Sequence, residues 1–303
     1  MIPTFVIFLR EGIEASMIVA ILLAYLQRIG QRQHFRDVFS GVAAALVLTL
    51  GGGIAAYLLI RNYDGSNVQT YFETTTYLLA AVILTYMTFW MQSHAKGLTK
   101  ELEHRSDLAL STGKRWGLGL LAFQAVGREG LETMVFTLAI IFAGDRPAAS
   151  PVHGNLLLIG AALGLAVALC IAFAIFKLGA KLNMRRFFRV LGIVLMVFAA
   201  GLLADAVENM QQLHWLNFGG HVIWNTSSSV SEASSIGDVL HSLLGYADRP
   251  TVLQAVVWLA YLVISTILFI RVGRGRRPHT HDRTQAASHA SDGRIAPRPH
   301  GEA

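Results

Sequence analysis

The sequence predicts an all-α, polytopic membrane protein with seven transmembrane helices. Of its 303 residues, 53% are apolar and only 15% are Asp, Glu, Lys or Arg, whereas an ordinary soluble domain has roughly 25% charged residues. Apolar runs long enough to cross a hydrocarbon core about 30 Å thick recur along the chain. The net charge of +6 comes from basic residues between these runs, so membrane topology explains it and nucleic-acid binding is set aside.

Seven apolar runs, separated by polar segments, predict the transmembrane helices in order. They cover approximately residues 2–26, 38–60, 71–91, 116–143, 155–176, 190–210 and 252–270. The first run should stay in the mature protein, because it carries Arg10, Glu11 and Glu14 where a signal peptide needs an uninterrupted apolar core.

The distribution of basic residues predicts the orientation of these spans. Segments 27–36, 92–115, 177–189 and 271–303 hold 20 of the 25 Lys and Arg residues, and the opposite segments hold three. The positive-inside rule therefore places the N-terminus outside and the C-terminus in the cytoplasm, as an odd number of spans requires. The outer face carries six acidic residues, counting Glu73 at the outer end of the third span, and this excess would draw cations to that surface.

Two segments outside the predicted spans have features of their own. In the loop 211–250, apolar residues recur at helical spacing from Ile236 to Leu244, which predicts a short amphipathic helix on the outer surface. The tail 271–303 is basic, contains four histidines and lacks apolar periodicity. We expect this cytoplasmic tail to be disordered, although its histidines could also buffer metal ions.

The motif R-E-G-x-E occurs twice, each time inside a predicted span. Arg10–Glu14 lies in the first span and Arg128–Glu132 in the fourth, 118 residues later. Since three spans separate the copies, the chain runs in opposite directions at them, which predicts two inverted repeats with both motifs near the bilayer midplane. The domain 1–270 would then consist of repeat one (1–92), repeat two (116–210) and a seventh span (252–270).

Each motif places two carboxylates and one guanidinium on one helix, where the arginine can reach the second glutamate. A charge at the centre of a membrane helix costs about 2.5–3.5 kcal/mol, and four acids with two bases leave two negative charges unbalanced. A cation shared by the carboxylates would restore the balance. The candidate metal ligands are Glu11, Glu14, Glu129 and Glu132, with Arg10 and Arg128 as their charge partners.

Other interpretations of the motifs stay open at this point. Each copy could be an ion pair that only fixes helix packing, and buried glutamates also serve proton-coupled carriers. All 11 histidines fall in loops or the tail, and Cys170 is not near either motif, so the spans favour a hard cation over copper or zinc. Met87 and Met91 could contact Cu(I), but packing explains them better.

Three further acids lie near the outer ends of spans. Glu73 begins the third span, and Asp205 and Glu208, one helical turn apart, lie near the end of the sixth. They could form an accessory entrance path that relays a cation from the outer surface to the midplane, or they could be hydrated residues of the membrane interface.

The paired motifs in spans one and four resemble those of the oxidase-dependent iron permeases, the family of the fungal high-affinity permeases and of the permease of the bacterial elemental ferrous iron uptake system. The resemblance covers about residues 2–270. Its further segments are Phe72–Glu73, Ile83–Thr85, Phe89–Met91, Ala200–Leu202, and Gly245–Tyr246 followed by Pro250. It departs after span six, where bacterial relatives carry a carboxylate and this chain has Gln212.

The resemblance implies a cell-membrane permease, in bacteria one of the inner membrane, that takes iron into the cytoplasm. The four motif glutamates would bind ferric iron, supplied by an extracytoplasmic ferroxidase, peroxidase or iron-binding protein, and iron is the substrate rather than a resident cofactor. Members of the superfamily are proposed to move lead, so a permease for another divalent metal and a proton-coupled carrier remain alternatives. No H-E-x-x-H motif occurs, and we do not expect an enzyme.

Overall fold

A computed structural model describes residues 1–63, 65–94, 98–111, 116–144, 152–178, 184–231, 234, 237, 240–241 and 244–274. Within them it has eight α-helices, here numbered in chain order: α1 (Ile2–Arg28), α2 (Phe35–Arg61), α3 (Asn67–His94), α4 (Leu98–Ser111), α5 (Gly117–Gly144), α6 (Val152–Leu178), α7 (Met184–Gln212) and α8 (Val252–Arg274). The only β-pairing among these residues is a single bridge between Val222 and Thr251. The predicted all-α class is confirmed.

The seven predicted apolar runs coincide with seven of these helices, and only Trp116, at the start of the fourth run, lies just outside its helix. Five helical segments are long and apolar enough to cross a membrane: Arg32–Arg61, Asn67–Met91, Asn155–Ala174, Arg189–Gln212 and Val252–Arg271. The motif helices α1 and α5 are of similar length, 27 and 28 residues, but each carries three charged residues near its middle. Large apolar side chains point outward along α2 and α6, as at Val47 and Leu158, and such a surface suits lipid rather than water.

One helix, α4, was not predicted, because the segment 92–115 was interpreted only as a basic loop. Its sequence is polar, and few apolar residues mark its inner face. Leu102 and Ser106 are buried there. The Tyr25 hydroxyl donates a hydrogen bond to Asp107, and Arg28 lies 3.6 Å from Glu103. These contacts hold α4 against the end of α1.

The long helices pack in pairs that join the two halves of the chain. α1 lies along α6, α2 along α5 and α3 along α7, while α1 and α5 also contact each other. Small residues make the pairs close: a Cβ at Gly41 would lie 2.0 Å from the carbonyl oxygen of Gly119, and a Cβ at Gly160 would lie 2.3 Å from that of Met1. Gly160 therefore serves close helix packing.

The largest apolar cluster lies between α1, α3, α5 and α7. Its fully buried members include Ile7, Leu84, Phe136 and Leu202. At the other end of α1, Leu22, Leu26 and Leu118 form a second cluster with their neighbours on α2 and α4. The stretch of α1 between the clusters carries the charged motif.

The segment after α7 folds back onto that helix. Gly245, at φ +67°, rests against Gly201, whose Cβ would lie 2.8 Å from the Gly245 Cα. Trp258 donates a hydrogen bond of 2.8 Å to the Leu244 carbonyl, and Tyr246 donates one of 3.0 Å to the Val230 carbonyl. Most of the predicted amphipathic helix, and the tail from 275, lie outside the described residues.

Candidate metal centre

The first motif lies inside the protein. Arg10, Glu11 and Glu14 are all buried. Arg10 donates a hydrogen bond of 3.0 Å to Glu11 Oε1, and its Nε lies 3.2 Å from Glu14 Oε1. The side chain of Arg10 is 3% exposed, so one buried guanidinium serves both carboxylates of its motif.

The second motif differs in its arginine. Glu129 and Glu132 are buried, but the Arg128 side chain is 44% exposed. Arg128 Nε donates a hydrogen bond of 3.1 Å to Glu132 Oε1. The guanidinium also lies 5.1 Å from the centre of the Trp90 ring and 2.9 Å from the Met87 sulfur. Two residues of α3 therefore orient Arg128, and the Met87 sulfur faces that guanidinium.

Contact between α1 and α5 brings the two motifs together. Glu11, Glu14 and Glu129 each offer a carboxylate oxygen within 4.8 Å of the others. Glu132 is held by Arg128 beside this group. Within the described part of the chain, the second oxygens of Glu11, Glu129 and Glu132 are buried and accept no hydrogen bond.

This arrangement can hold a cation. Buried acceptors without donors are costly, and the four carboxylates outnumber the two guanidiniums. Oxygen atoms from several carboxylates at short mutual distance are the ligand set that hard metal ions prefer. The donors present therefore fit an iron ion as substrate.

The glycine inside each motif sets the separation of the helices. A Cβ at Gly12 would lie 2.8 Å from the Ala168 Cβ of α6, and a Cβ at Gly130 would lie 2.7 Å from the Thr49 Cγ2 of α2. Any larger residue would push the motif helix away from its neighbour and move the carboxylates on either side of the glycine.

The three acids of the expected entrance path line one cavity. This cavity, here called the Glu73 cavity, has a volume of about 570 Å³ and lies where α2, α5 and α7 end and α3 begins; Glu73, Asp205 and Glu208 are on its wall. Gln69 donates a hydrogen bond of 2.8 Å to Glu73, and Gln254 donates one of 3.1 Å to Glu208. Arg61 also lines it.

Apolar residues separate the Glu73 cavity from the motif carboxylates. On α5, the fully buried Phe136 lies one turn from Glu132, and Phe142 lines the cavity. Ten residues of helix, or about 15 Å, separate Glu132 from Phe142. On α3, Tyr77 lines the cavity and Leu84 is buried below it.

The sequence analysis missed one residue near this cavity. His241 was assigned to a loop, but it is buried against α7, with its Nε2 atom 3.7 Å from Asp205 Oδ1. The sequence around His241 does not indicate its burial, because that burial depends on how the segment after α7 folds back.

The helices and the buried ionisable residues between them define a multi-pass membrane protein with the architecture of a transporter. The family model described as "Iron permease FTR1 family" matches residues 1–273, and the chain belongs to this family. The family predicted from the motifs is thus confirmed, and the protein is a permease for iron rather than an enzyme.

The chain is also similar to curated bacterial proteins. It is 35% identical over 271 residues to the ferrous iron permease EfeU of Yersinia pestis, an alignment that covers 89% of this chain and 93% of the relative. It is 33% identical over 272 residues to EfeU of Escherichia coli O6:K15:H31, covering 89% of this chain and 95% of the relative. No solved structure matches the chain.

Proposed function

We propose that the protein moves iron, in the ferric form, from the extracytoplasmic side into the cell through the carboxylates of its two motifs. The observation that carries the proposal is the close approach of Glu11, Glu14 and Glu129 from two different helices. In a member of an iron permease family, a buried set of carboxylates near the middle of two long helices is the natural site for the transported ion.

The ligand chemistry favours the ferric ion. All four carboxylates are hard oxygen donors, and the described residues around them provide no histidine or cysteine ligand. Each carboxylate also attracts a trivalent ion more strongly than a divalent ion, because the Coulomb energy grows with the ionic charge. The relatives are named as ferrous permeases, so oxidation at or before entry belongs to the proposal.

Seven membrane spans in two inverted repeats suit the pattern of helix contacts. An inverted repeat would relate α1 to α5 and α2 to α6. The pair α1–α6 would then correspond to the pair α5–α2, and these are the two helix pairs with the most extensive contacts. The motif glycines, Gly12 and Gly130, are 118 residues apart, and their partners, Thr49 and Ala168, are 119 apart. Corresponding positions therefore make corresponding contacts.

The proposed domain arrangement follows from this pattern. Repeat one is 1–92, repeat two is 116–210, the seventh span is 252–270, and residues 271–303 form a basic cytoplasmic tail. The positive-inside rule then places the N-terminus outside. In a bacterial cell, the protein belongs in the inner membrane.

Iron would enter through the Glu73 cavity. In the proposed orientation this cavity opens outward, and Glu73, Asp205 and Glu208 would hold the ion before it crosses the apolar residues around Phe136. An extracytoplasmic ferroxidase, peroxidase or iron-binding protein would deliver the iron there. No redox cofactor is part of the proposal, and the oligomeric state does not enter it.

The proposal is tested by uptake of radioactive iron into liposomes that contain the purified protein. Glu14→Gln and Glu132→Gln each remove one carboxylate charge while keeping the shape of the side chain, and we expect uptake to fall to background. Glu101→Gln is the matched control, because Glu101 lies on the surface of α4 and pairs only with Arg105 among the described contacts. Normal uptake by both motif variants would refute the proposed site.

The same liposomes distinguish the alternatives. Ferrous, ferric, lead and copper ions are compared, with and without an oxidant, and a pH gradient is imposed in separate runs. A ferric permease predicts uptake of iron that depends on oxidation. Transport that follows the pH gradient and ignores iron would instead indicate a proton-coupled carrier, and preferential uptake of lead would change the substrate.

A further inference from the structure

The segment after α7 places a histidine against an acid of the Glu73 cavity. Gly245 rests on Gly201, and each glycine lies four residues from one member of the pair: His241 precedes Gly245, and Asp205 follows Gly201. The Gly245 N–H donates a hydrogen bond of 2.8 Å to the His241 carbonyl. The glycine contact therefore fixes where His241 meets α7.

The imidazole of His241 is oriented as a ligand. Its Nδ1 lies 2.8 Å from the Tyr246 carbonyl oxygen, which can only accept a hydrogen bond, so Nδ1 carries the proton. In the neutral ring this leaves the lone pair on Nε2, the tautomer found in metal-bound histidines whose other nitrogen donates to a carbonyl. His241 is 5% exposed, and within the described residues Nε2 has no hydrogen-bond partner.

The distance from Nε2 to Asp205 Oδ1 is 3.7 Å. An N–H···O hydrogen bond needs about 2.7–3.2 Å, so the pair is too far apart for one. A bridging water molecule holds its two partners roughly 4.5–5 Å apart, so the pair is too close for one. Two ligand atoms that are each about 2.1 Å from a metal ion lie roughly 3–4 Å apart, which includes the observed separation.

We propose that His241 Nε2 and Asp205 Oδ1 bind a divalent first-row transition-metal ion at the wall of the Glu73 cavity. Asp205 lines this cavity, whereas the carboxylate of Glu208, one helical turn further along α7, accepts hydrogen bonds from Gln212 and Gln254. Water from the cavity completes the coordination. The site is separate from the motif carboxylates, since the apolar residues around Phe136 lie between them.

The ligand atoms of this site prefer different metal ions from those that the motif carboxylates prefer. Imidazole nitrogen with carboxylate oxygen suits Fe²⁺, Co²⁺ and Zn²⁺, and it discriminates against Mg²⁺ and Ca²⁺, which take oxygen ligands. The inference deepens the proposed function and rests on it, because a divalent site at the entrance acts as a loading site only in a permease whose path starts there.

The site is tested by equilibrium binding of Co²⁺ to the full-length purified protein, with visible absorption as the readout. His241→Gln and Asp205→Asn should each lose one equivalent of Co²⁺, or bind it at least tenfold more weakly, and should lose the corresponding absorption. His221→Gln is the matched control, because His221 lies in the same segment and is exposed. The tail histidines contribute equally to every variant.

Three results decide the outcome. If His241→Gln and Asp205→Asn keep the stoichiometry, affinity and spectrum of the unmodified protein, the site does not exist and the pair is only a structural contact. If His241→Gln does not purify as a folded protein, Asp205→Asn decides by the same readout, since its side chain keeps nearly the same volume. If His221→Gln loses the same equivalent, the ion is bound elsewhere and the proposal is wrong.

The double variant Glu14→Gln/Glu132→Gln separates this proposal from the proposed function. It should keep the Co²⁺ equivalent of the His241 site while losing iron uptake. Normal uptake in that variant would refute the motif site and leave the Co²⁺ result standing. Loss of the equivalent in that variant would show that the motif carboxylates, rather than His241, bind the ion.

Discussion

Replacing Gly130 by alanine should push α5 away from α2 and destabilise the protein. The new Cβ would lie 2.7 Å from Thr49 Cγ2, 2.8 Å from its Oγ1 and 3.1 Å from its Cβ. Atoms in ordinary contact are about 3.5–4.0 Å apart, so the helices must separate by several tenths of an ångström. Thr49 cannot turn away freely, because its hydroxyl donates a hydrogen bond of 2.9 Å to the Ala45 carbonyl.

The loss of stability in Gly130→Ala is the net result of opposing effects. Inserting a methyl group into a packed contact costs about 1–3 kcal/mol, and losing the Thr49 hydrogen bond adds about 1 kcal/mol. Exchanging glycine for alanine in a helix recovers about 1 kcal/mol. We expect a net loss of about 1–3 kcal/mol, which corresponds to a fall of several degrees in the unfolding temperature.

The assay is thermal unfolding of the purified protein in detergent, combined with iron uptake into liposomes. Thr49→Ala removes the two atoms nearest to the new Cβ, so the double variant should recover about 1–2 kcal/mol relative to the sum of the single changes. Gly51→Ala on α2 is the control, because nothing lies within 4 Å of its Cβ position. Equal stability of the Gly130→Ala and Gly51→Ala variants would refute this account of helix packing.

Four further substitutions have expected outcomes that unfolding, uptake and Co²⁺-binding assays can check. Arg10→Met should cost about 3–5 kcal/mol in stability, because it leaves buried carboxylates without their partner. Arg128→Met should cost about 1 kcal/mol, since that side chain is 44% exposed, and equal losses would contradict the difference in burial. Trp90→Leu should lose a cation–π contact of about 0.5–1 kcal/mol and lower uptake by releasing Arg128, and unchanged uptake would argue against that role. Gly201→Ala should displace Gly245 from α7 and weaken Co²⁺ binding at least tenfold, and unaltered binding would speak against it.

The helical fold and the family could be predicted because both depend on local features of the chain, whereas the role of the motif carboxylates stays a proposal. Hydrophobic runs determine where helices form in a membrane, and the helices extend beyond the predicted runs by at most six residues, as at Met184. The motif charges stand out because they interrupt two long, mainly apolar runs. For Glu73, Asp205 and Glu208 the sequence left two interpretations, an entrance path or hydrated residues of the membrane interface, and the structure brings all three to the wall of one cavity.

The features that were missed depend on contacts between distant segments. α4 is too polar to be recognised by apolar periodicity, and its position depends on Tyr25 and Arg28 of α1. His241 reaches Asp205 only because two glycines, 44 residues apart, allow a loop to touch a helix. The difference in burial between Arg10 and Arg128 could not be predicted either, since both motifs have the same sequence pattern.

That difference between the arginines has a consequence for how the protein could operate. If the two halves are inverted repeats, a change of conformation alone could give each motif the surroundings that the other motif has in this structure. The exchanged conformation would bury Arg128 and hydrate Arg10, which is 3% exposed here. In the proposed orientation, Arg128 lies on the cytoplasmic side of the carboxylates and Arg10 on the outer side. The present conformation would then be the inward-facing state of an alternating-access cycle. In each state, the guanidinium on the open side would be the exposed one.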